Sequence, residues 1–191
     1  MTYLENQRVK LITLNLSNYL QVSKIAMQKD LVQFSPSKID SPEDFKSYVE
    51  QAIADGSNNT AIPFLIYDKQ ANAYAGSTRF GNMHWKNKVL HIGWTWIGKQ
   101  FQGTGLNIHV KFLMLEHAFE TLNFDKVEFR VDERNSRSRK AVEKLGATLE
   151  GILRKDTLMP DSFRRNTCCY GILKEEWLVA KTHILKHLHS K

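Results

Sequence analysis

The stretch from Trp94 to Asn107, Trp-Thr-Trp-Ile-Gly-Lys-Gln-Phe-Gln-Gly-Thr-Gly-Leu-Asn, is the part of this 191-residue sequence best equipped for chemistry. An apolar strand pattern ends at Ile97, glycines follow at 98, 103 and 105, and an apolar helical pattern begins. Glycine permits the left-handed backbone that such a turn needs. A turn of this kind aims several unpaired backbone N–H groups at one point, on the positive end of the helix dipole, where a pyrophosphate is stabilised. Two rival phosphate loops are excluded. A P-loop needs a Lys-Ser or Lys-Thr pair behind its last glycine, and none stands here. A dinucleotide fingerprint belongs at the first strand of a βαβ unit, whereas this loop lies mid-chain behind an apparent meander.

The remaining reactive side chains are fewer. Cys168 and Cys169 are sequence neighbours; on a strand they point to opposite faces, so they read as reduced thiols and not as a zinc pair. His91 lies in an apolar strand pattern, either simply half-buried or able to titrate near neutrality. The net charge is +7, from 27 Lys and Arg against 20 Asp and Glu. The basic residues are scattered, with small groups at 134–140 and 164–165, and form no stripe with interleaved aromatics. Nucleic acid is therefore disfavoured as a partner, while a polyanionic ligand would explain a positive field. No apolar run reaches the roughly 20 residues of a membrane helix, and the first ten residues carry no secretory hydrophobic stretch. A cytoplasmic protein is the expectation.

These residues must be positioned by elements that the periodicities outline. Val9 to Leu14 alternates as a strand. Leu16, Tyr19, Leu20, Ser23 and Met27 recur at helical spacing behind Ser17, a candidate cap. Ser41-Pro42-Glu43-Asp44 starts a second helix running to about Asp55. Strands follow at 61–67, 73–80 and 89–97, then a helix at 105–122 with Ile108, Phe112, Leu115 and Phe119 on one face. A strand at 126–131, a helix at 136–145 ended by Gly146, strands at 148–159 and 163–172, and a tail helix at 174–188 complete the chain. The order predicts one mixed α/β domain over 1–191, with a core at about 9–173.

Several short segments together resemble one known family. Gln100-Phe101-Gln102-Gly103-Thr104-Gly105 is similar to the Q/R-x-x-G-x-G/A acyl-CoA signature of GNAT acetyltransferases. Gly76-Ser77-Thr78-Arg79-Phe80, Ile92-Gly93-Trp94-Thr95-Trp96, Leu115-Glu116-His117-Ala118-Phe119, Asn135-Ser136-Arg137-Ser138-Arg139, Lys144-Leu145-Gly146-Ala147 and Glu150-Gly151 resemble the RimJ/RimL-like branch, in the expected order from about Val9 to Trp177. The resemblance implies a mixed sheet of six to seven strands flanked by helices, with a splayed strand pair holding CoA. It implies that backbone N–H groups of Gln102, Gly103, Thr104, Gly105, Leu106 and Asn107 hold the pyrophosphate. Trp96 and Ile97 would pair their backbone with pantetheine like an added strand, and the N–H near Ile97 would polarise the thioester carbonyl. Asn135 would cap the next helix, lie beside the cofactor arm, or do both.

The catalytic residues implied are less uniform. Many relatives protonate the leaving thiolate with a Tyr seven residues beyond this Asn, where Val142 stands here. The RimL-like pattern offers instead a Ser three residues beyond it, which is Ser138, equally readable as a plain helical serine. The general base has two family positions. One is a Glu on the strand after Gly151, occupied here by Thr157, with Asp156 beside it pointing to the other face of a regular strand. The second is an acid on the central strand two residues before the Ile-Gly step equivalent; here His91 stands before Ile92-Gly93.

The implied reaction moves an acetyl group from acetyl-CoA, a co-substrate, to an amine in a ternary complex, with no metal. Neutralising a lysine amine at pH 7 costs about 4.6 kcal/mol and an α-amine about 1 kcal/mol. A site without a clear carboxylate base therefore suits a protein N-terminus or a weakly basic small molecule. A homodimer is compatible with the sequence. The alternatives are a catalytically weak CoA-fold module that binds RNA or a ribosomal partner, and an enzyme using a succinyl-CoA-type donor, for which Arg79 is a spare basic group.

Overall fold

A computed structural model describes residues 3–189. Its centre is an eight-stranded sheet in the order β1-β2-β3-β4-β5-β6-β8-β7. The strands are β1 (Tyr3–Glu5), β2 (Val9–Thr13), β3 (Ile62–Asp68), β4 (Ala73–His84), β5 (Val89–Ile97), β6 (Lys126–Asp132), β7 (Thr148–Leu158) and β8 (Arg164–Leu173). All neighbours are antiparallel except β5 and β6. A parallel pair needs a crossover, and α3 (Leu106–Glu116) supplies it. The strand beyond those predicted is β1, joined to β2 by a turn in which Asn6 Oδ1 accepts from the N–H groups of Arg8 and Val9 at 3.0 and 2.9 Å. Three residues are too few for a periodicity to show.

Helix α2 (Pro42–Ser57) begins where the sequence predicts, with Ser41 Oγ accepting from the Asp44 N–H at 3.0 Å. Its buried side chains Phe45, Val49 and Ala52 recur at helical spacing and lie against the sheet. The opposite face is covered by α3, where Leu106, Val110, Met114 and Leu115 are fully buried, and α3 in turn packs on α5 (Trp177–His189). The remaining helices are α1 (Ser23–Ala26) and α4 (Ser136–Glu143). No helix of the described residues is long and apolar enough to cross a membrane.

Two predicted helices differ in form. The segment around Leu16–Met27 is a 3₁₀ turn (Tyr19–Val22) followed by the single turn of α1. Asn15 and Asn18 hydrogen-bond the local backbone in place of a Ser17 cap, and Leu16 and Leu20 face solvent. Side chains that pull the backbone into local turns compete with helix there. The helix predicted to run to 122 widens into a π turn at His117–Thr121, marked by the Leu122 N–H bonding to the His117 carbonyl. The wider turn keeps the consecutive residues Ala118 and Phe119 both buried, with Phe119 stacked on Trp177 at 5.4 Å.

Strand β4 meets β5 closely at Gly76. A β-carbon built there would stand 2.0 Å from the Trp96 carbonyl oxygen, which is backbone and cannot swing away. Gly76→Ala should therefore destabilise the fold by about 1–3 kcal/mol or more. Thermal unfolding of the variant checks this, and an unchanged Tm would show that the β4–β5 contact is not tight.

Candidate active site

The parallel ladder between β5 and β6 is short. It runs only from Val89 with Lys126 to His91 with Glu128, after which the strands separate. β5 continues to Ile97 and β6 to Asp132, leaving a gap in the middle of the sheet. The Gly98 N–H bonds the Ala75 carbonyl at 2.8 Å. In an antiparallel ladder bonded and non-bonded pairs alternate, so Ile97, opposite Gly76, turns its own N–H and C=O away from β4 into the gap. By the same alternation the backbone groups of Trp96 face Ser77 on β4, and only its buried indole lies on the α2 side, against Phe45 and Tyr48. The Ile97 carbonyl is already met by Gln102 Nε2 at 2.8 Å.

Beyond β5 the chain makes one 3₁₀ turn (Lys99–Phe101) and reaches Gly103 and Gly105, whose φ angles of 77° and 85° are left-handed. A β-carbon at either glycine would meet nothing within 4 Å, so open space lies in front of the loop. The N–H groups of Gly103, Thr104, Gly105 and Asn107 have no acceptor among the described residues, and that of Leu106 has only a 3.4 Å bond to Thr104 Oγ1. The Gln102 N–H, by contrast, closes the turn onto Lys99. A cradle of free N–H groups at the start of an eleven-residue helix suits a pyrophosphate. The Asn107 Oδ1 atom nearby is buried and unpartnered.

Helix α4 starts on the other side of the gap, just past β6. Asn135 Oδ1 caps it by accepting from the Ser138 N–H at 3.1 Å. The half-buried Ser138 has a hydroxyl with no partner among the described residues, while Val142 is buried. Arg137 reaches across to Gln102 Oε1, joining α4 to the loop. His91 sits at the closed end of the gap. Burial keeps its pKa below the ordinary value, so the ring is neutral at pH 7 despite Glu128. Its Nδ1 faces Asn82 Nδ2 at 3.0 Å and its Nε2 faces Glu128 at 2.7 Å. Both nitrogens are engaged, so the ring ties three strands together and offers no open lone pair.

The open edge of β5 depends on a bulge. One extra residue enters between Gly93 and Trp96, and Trp94 takes a φ of +48°. On the α2 side the Trp94 ring lies over Gly81, where a β-carbon would be 2.2 Å away. The buried Arg79 guanidinium stands between the Trp94 and Tyr48 rings, 5.0 and 5.3 Å from their centres, and reaches Asp55 at 3.2 Å. On the α3 side Lys111 Nζ donates to Thr95 Oγ1 at 2.6 Å, beside Thr78. Lys111 is enclosed, and burial brings its pKa down to about 7.

Residues 8–148 match the model of the acetyltransferase (GNAT) domain. The chain belongs to the GNAT acetyltransferase family. It is 30% identical over 113 residues to YdaF of Bacillus subtilis (strain 168), a proposed ribosomal N-acetyltransferase, and the match covers 59% of each chain. The structure of a proposed acetyltransferase from T. thermophilus superposes with a TM-score of 0.87 at 29% identity, covering 98% of this chain and 97% of that one. The fold is also that of the microcin C7 self-immunity acetyltransferase MccE, solved with acetyl-CoA and AMP (TM-score 0.77, 22% identity, 88% and 93% covered).

Around this candidate site, several features are not announced by the sequence motifs. Gln102 acts through its side chain, and the bulge at Trp94 carries no residue signature. Lys111 leaves a faint one, since it lies on the predicted apolar stripe, three residues after Ile108 and four before Leu115. Its titration has a consequence for stability. Between about 7 and the ordinary 10.5, the unfolded state keeps the Lys111 proton and the native state does not. Stability should therefore rise with pH across that window. Lys111→Met should flatten this rise and raise Tm most at and below pH 7; a parallel Tm-versus-pH curve for the two proteins would refute the assignment.

Proposed function

We propose that this GNAT protein transfers an acetyl group from acetyl-CoA to an amine, by direct attack within a ternary complex. The observation that carries the reading is the combination of the free N–H cradle at 103–107 with the free Ile97 N–H at the mouth of the gap. The cradle receives the pyrophosphate, and the extended pantetheine runs along Ile97 as an additional strand would. To pair there it replaces the Gln102 amide on the Ile97 carbonyl. The Ile97 N–H then faces the oxygen that becomes negative when the amine attacks, where a fixed donor is worth most. Holding both partners in place supplies a large share of the rate. Ser138, at the start of α4, protonates the departing thiolate, and Asn135 holds the turn from which it projects.

Chemistry and likeness both support one acceptor class. A protein N-terminus carries a more readily neutralised amine than lysine does, and YdaF carries the name of a ribosomal N-acetyltransferase. The α-amine of a protein, in the manner of the RimJ/RimL-like branch, is therefore the acceptor we favour. Treating cell extract with the protein and isotopically labelled acetyl-CoA, then locating the label by mass spectrometry, tests this. Label on N-terminal peptides is the expected outcome; label confined to lysine side chains or small metabolites would refute it.

Acetyl-CoA at about a hundred times its Kd should stabilise the native state by about 2.7 kcal/mol. Gly105→Val, which puts a β-branched residue at a φ of 85° and fills the open space, should abolish that rise in Tm. A full shift in the variant would remove the loop from the donor site. Ser138→Ala should lower kcat by about 10²–10⁴ with the acetyl-CoA shift intact; an unchanged kcat, measured where chemistry limits turnover, would assign thiolate protonation to water.

A further inference from the structure

Strand β7 does not run regularly. Leu153 pairs with Thr167 and Thr157 with Arg165, so Arg154, Lys155 and Asp156 together stand opposite the single residue Asn166. Lys155 takes a φ of +52°, and its N–H is held by Asn166 Oδ1 at 2.9 Å. In a regular strand Asp156 would face away from Thr157. The bulge turns it back, and Asp156 Oδ1 accepts the Thr167 hydroxyl at 2.6 Å. Thr167 is fully buried and also accepts from Arg165 Nε at 3.1 Å. Arg165 in turn donates to the Phe34 carbonyl in the segment between α1 and α2. Asp156 therefore lies on the sheet face that carries α2 and the Trp96 indole.

Its height on the sheet is as informative as its face. Thr167 pairs with Asp132, the last residue of β6. Climbing both strands from the last shared rung, His91 with Glu128, brings Asp132 level with Trp96, once the bulge has absorbed its extra residue. Asp156, Thr167, Asp132 and Trp96 thus lie in one row across the gap, next to the Ile97 N–H. The cradle is on α3, so an acyl chain entering from there presents its carbonyl toward this row.

Other acids on this face are engaged. Glu128 and Glu150 share Lys126 at the closed end. Burial would raise the Asp132 pKa, but Arg134 outweighs it, gripping both carboxylate oxygens at 3.0 and 2.7 Å. Asp156, at the level of Trp96 and away from the closed end, keeps an oxygen, Oδ2, without a partner among the described residues, at an exposed position that water reaches.

We propose that Asp156 is the general base of this site, standing in for the carboxylate that Thr157 cannot supply. It takes one proton from the acceptor ammonium, directly or through one water. The neutral amine forms the C–N bond, the C–S bond breaks, the thiolate is protonated, and one proton leaves to solvent overall. The charged and titratable groups around Asp156 are Arg165 and Cys169, which feel its charge, Asp132, Arg134 and Arg130, which act on Arg165, Glu128 and Glu150, which act on Cys169, and Lys155 and Arg154 on its own strand.

This rests on the acetyl-transfer reading above, which acetyl-CoA binding tests separately. Asp156→Asn keeps the shape of the side chain, and Asp156→Glu keeps the charge. Transfer from acetyl-CoA to a pool of short peptides with free α-amines is measured from about pH 6.5 to about pH 9, spanning the α-amine pKa. The Asn variant should lose about 10²–10⁴ in kcat/KM at the acid end. That loss should shrink toward the alkaline end, where the amine is already neutral, and the Glu variant should recover part of the rate. The acetyl-CoA shift in Tm should be unchanged. A loss equal at every pH, or no loss, overturns the proposal. Should the Asn variant not fold, Asp156→Ser is read in the same way. If wild type binds acetyl-CoA but acetylates no peptide, the slow hydrolysis of bound acetyl-CoA replaces transfer. It should fall in Asp156→Asn, and an unchanged rate overturns the role.

Discussion

The architecture turns on a ladder that stops. In the middle of a sheet both edges of a strand are normally bonded, because unpaired backbone groups removed from water are costly. Here β5 and β6 share three rungs and then part. What keeps them apart is attached from outside the gap: β6 is drawn along its whole length onto β8, and β5 onto β4. The chain between α1 and α2 spans the opening, fixed at one end where Gln28 accepts from the Lys99 N–H at 2.8 Å and at the other by Arg165 on Phe34. A half-satisfied strand edge suits an extended polar chain, and the free N–H groups of 103–107 at its end suit the phosphates such a chain would carry.

The polar groups behind this edge are expensive for stability. Arg79 is buried with its Nε unpartnered, and Lys111 is enclosed by apolar side chains and two threonines. An apolar residue would fill either position at lower cost. Both stand against the β5 bulge, one on each face of the sheet, where they fix the residues that lead to Ile97. Strain and buried polarity concentrate where the backbone must hold an irregular shape.

Much of this was legible in the residues. The Ser41-Pro42 start of α2, the turn at Gly103 and Gly105, and the Asn135 cap are local chemistry with strong sequence signatures, and they appear where the signatures lie. Irregularity was not legible. At two bulges the residues that take positive φ, Trp94 and Lys155, are ones with no turn propensity, and pairing on either side holds them there. Strict alternation therefore gave the wrong face for Asp156. The apolar spacing at 16–27 suggested a helix because it ignored the competing Asn15 and Asn18 bonds. Long-range ties such as His91 with Glu128 depend on which strands become neighbours, and a single strand's pattern does not contain that.

The central claim is that the Ile97 N–H, unpaired in the free protein, is paired by bound acyl-CoA. Amide hydrogen exchange at Ile97, with and without acetyl-CoA, tests it most directly. The account predicts fast exchange in the free protein and strong protection on binding, accompanied by protection at Gly103, Thr104 and Gly105, with little change at distant turns such as 69–72. Exchange at Ile97 that is slow without ligand, or that stays fast at saturation while the protein is shown to bind, would contradict it.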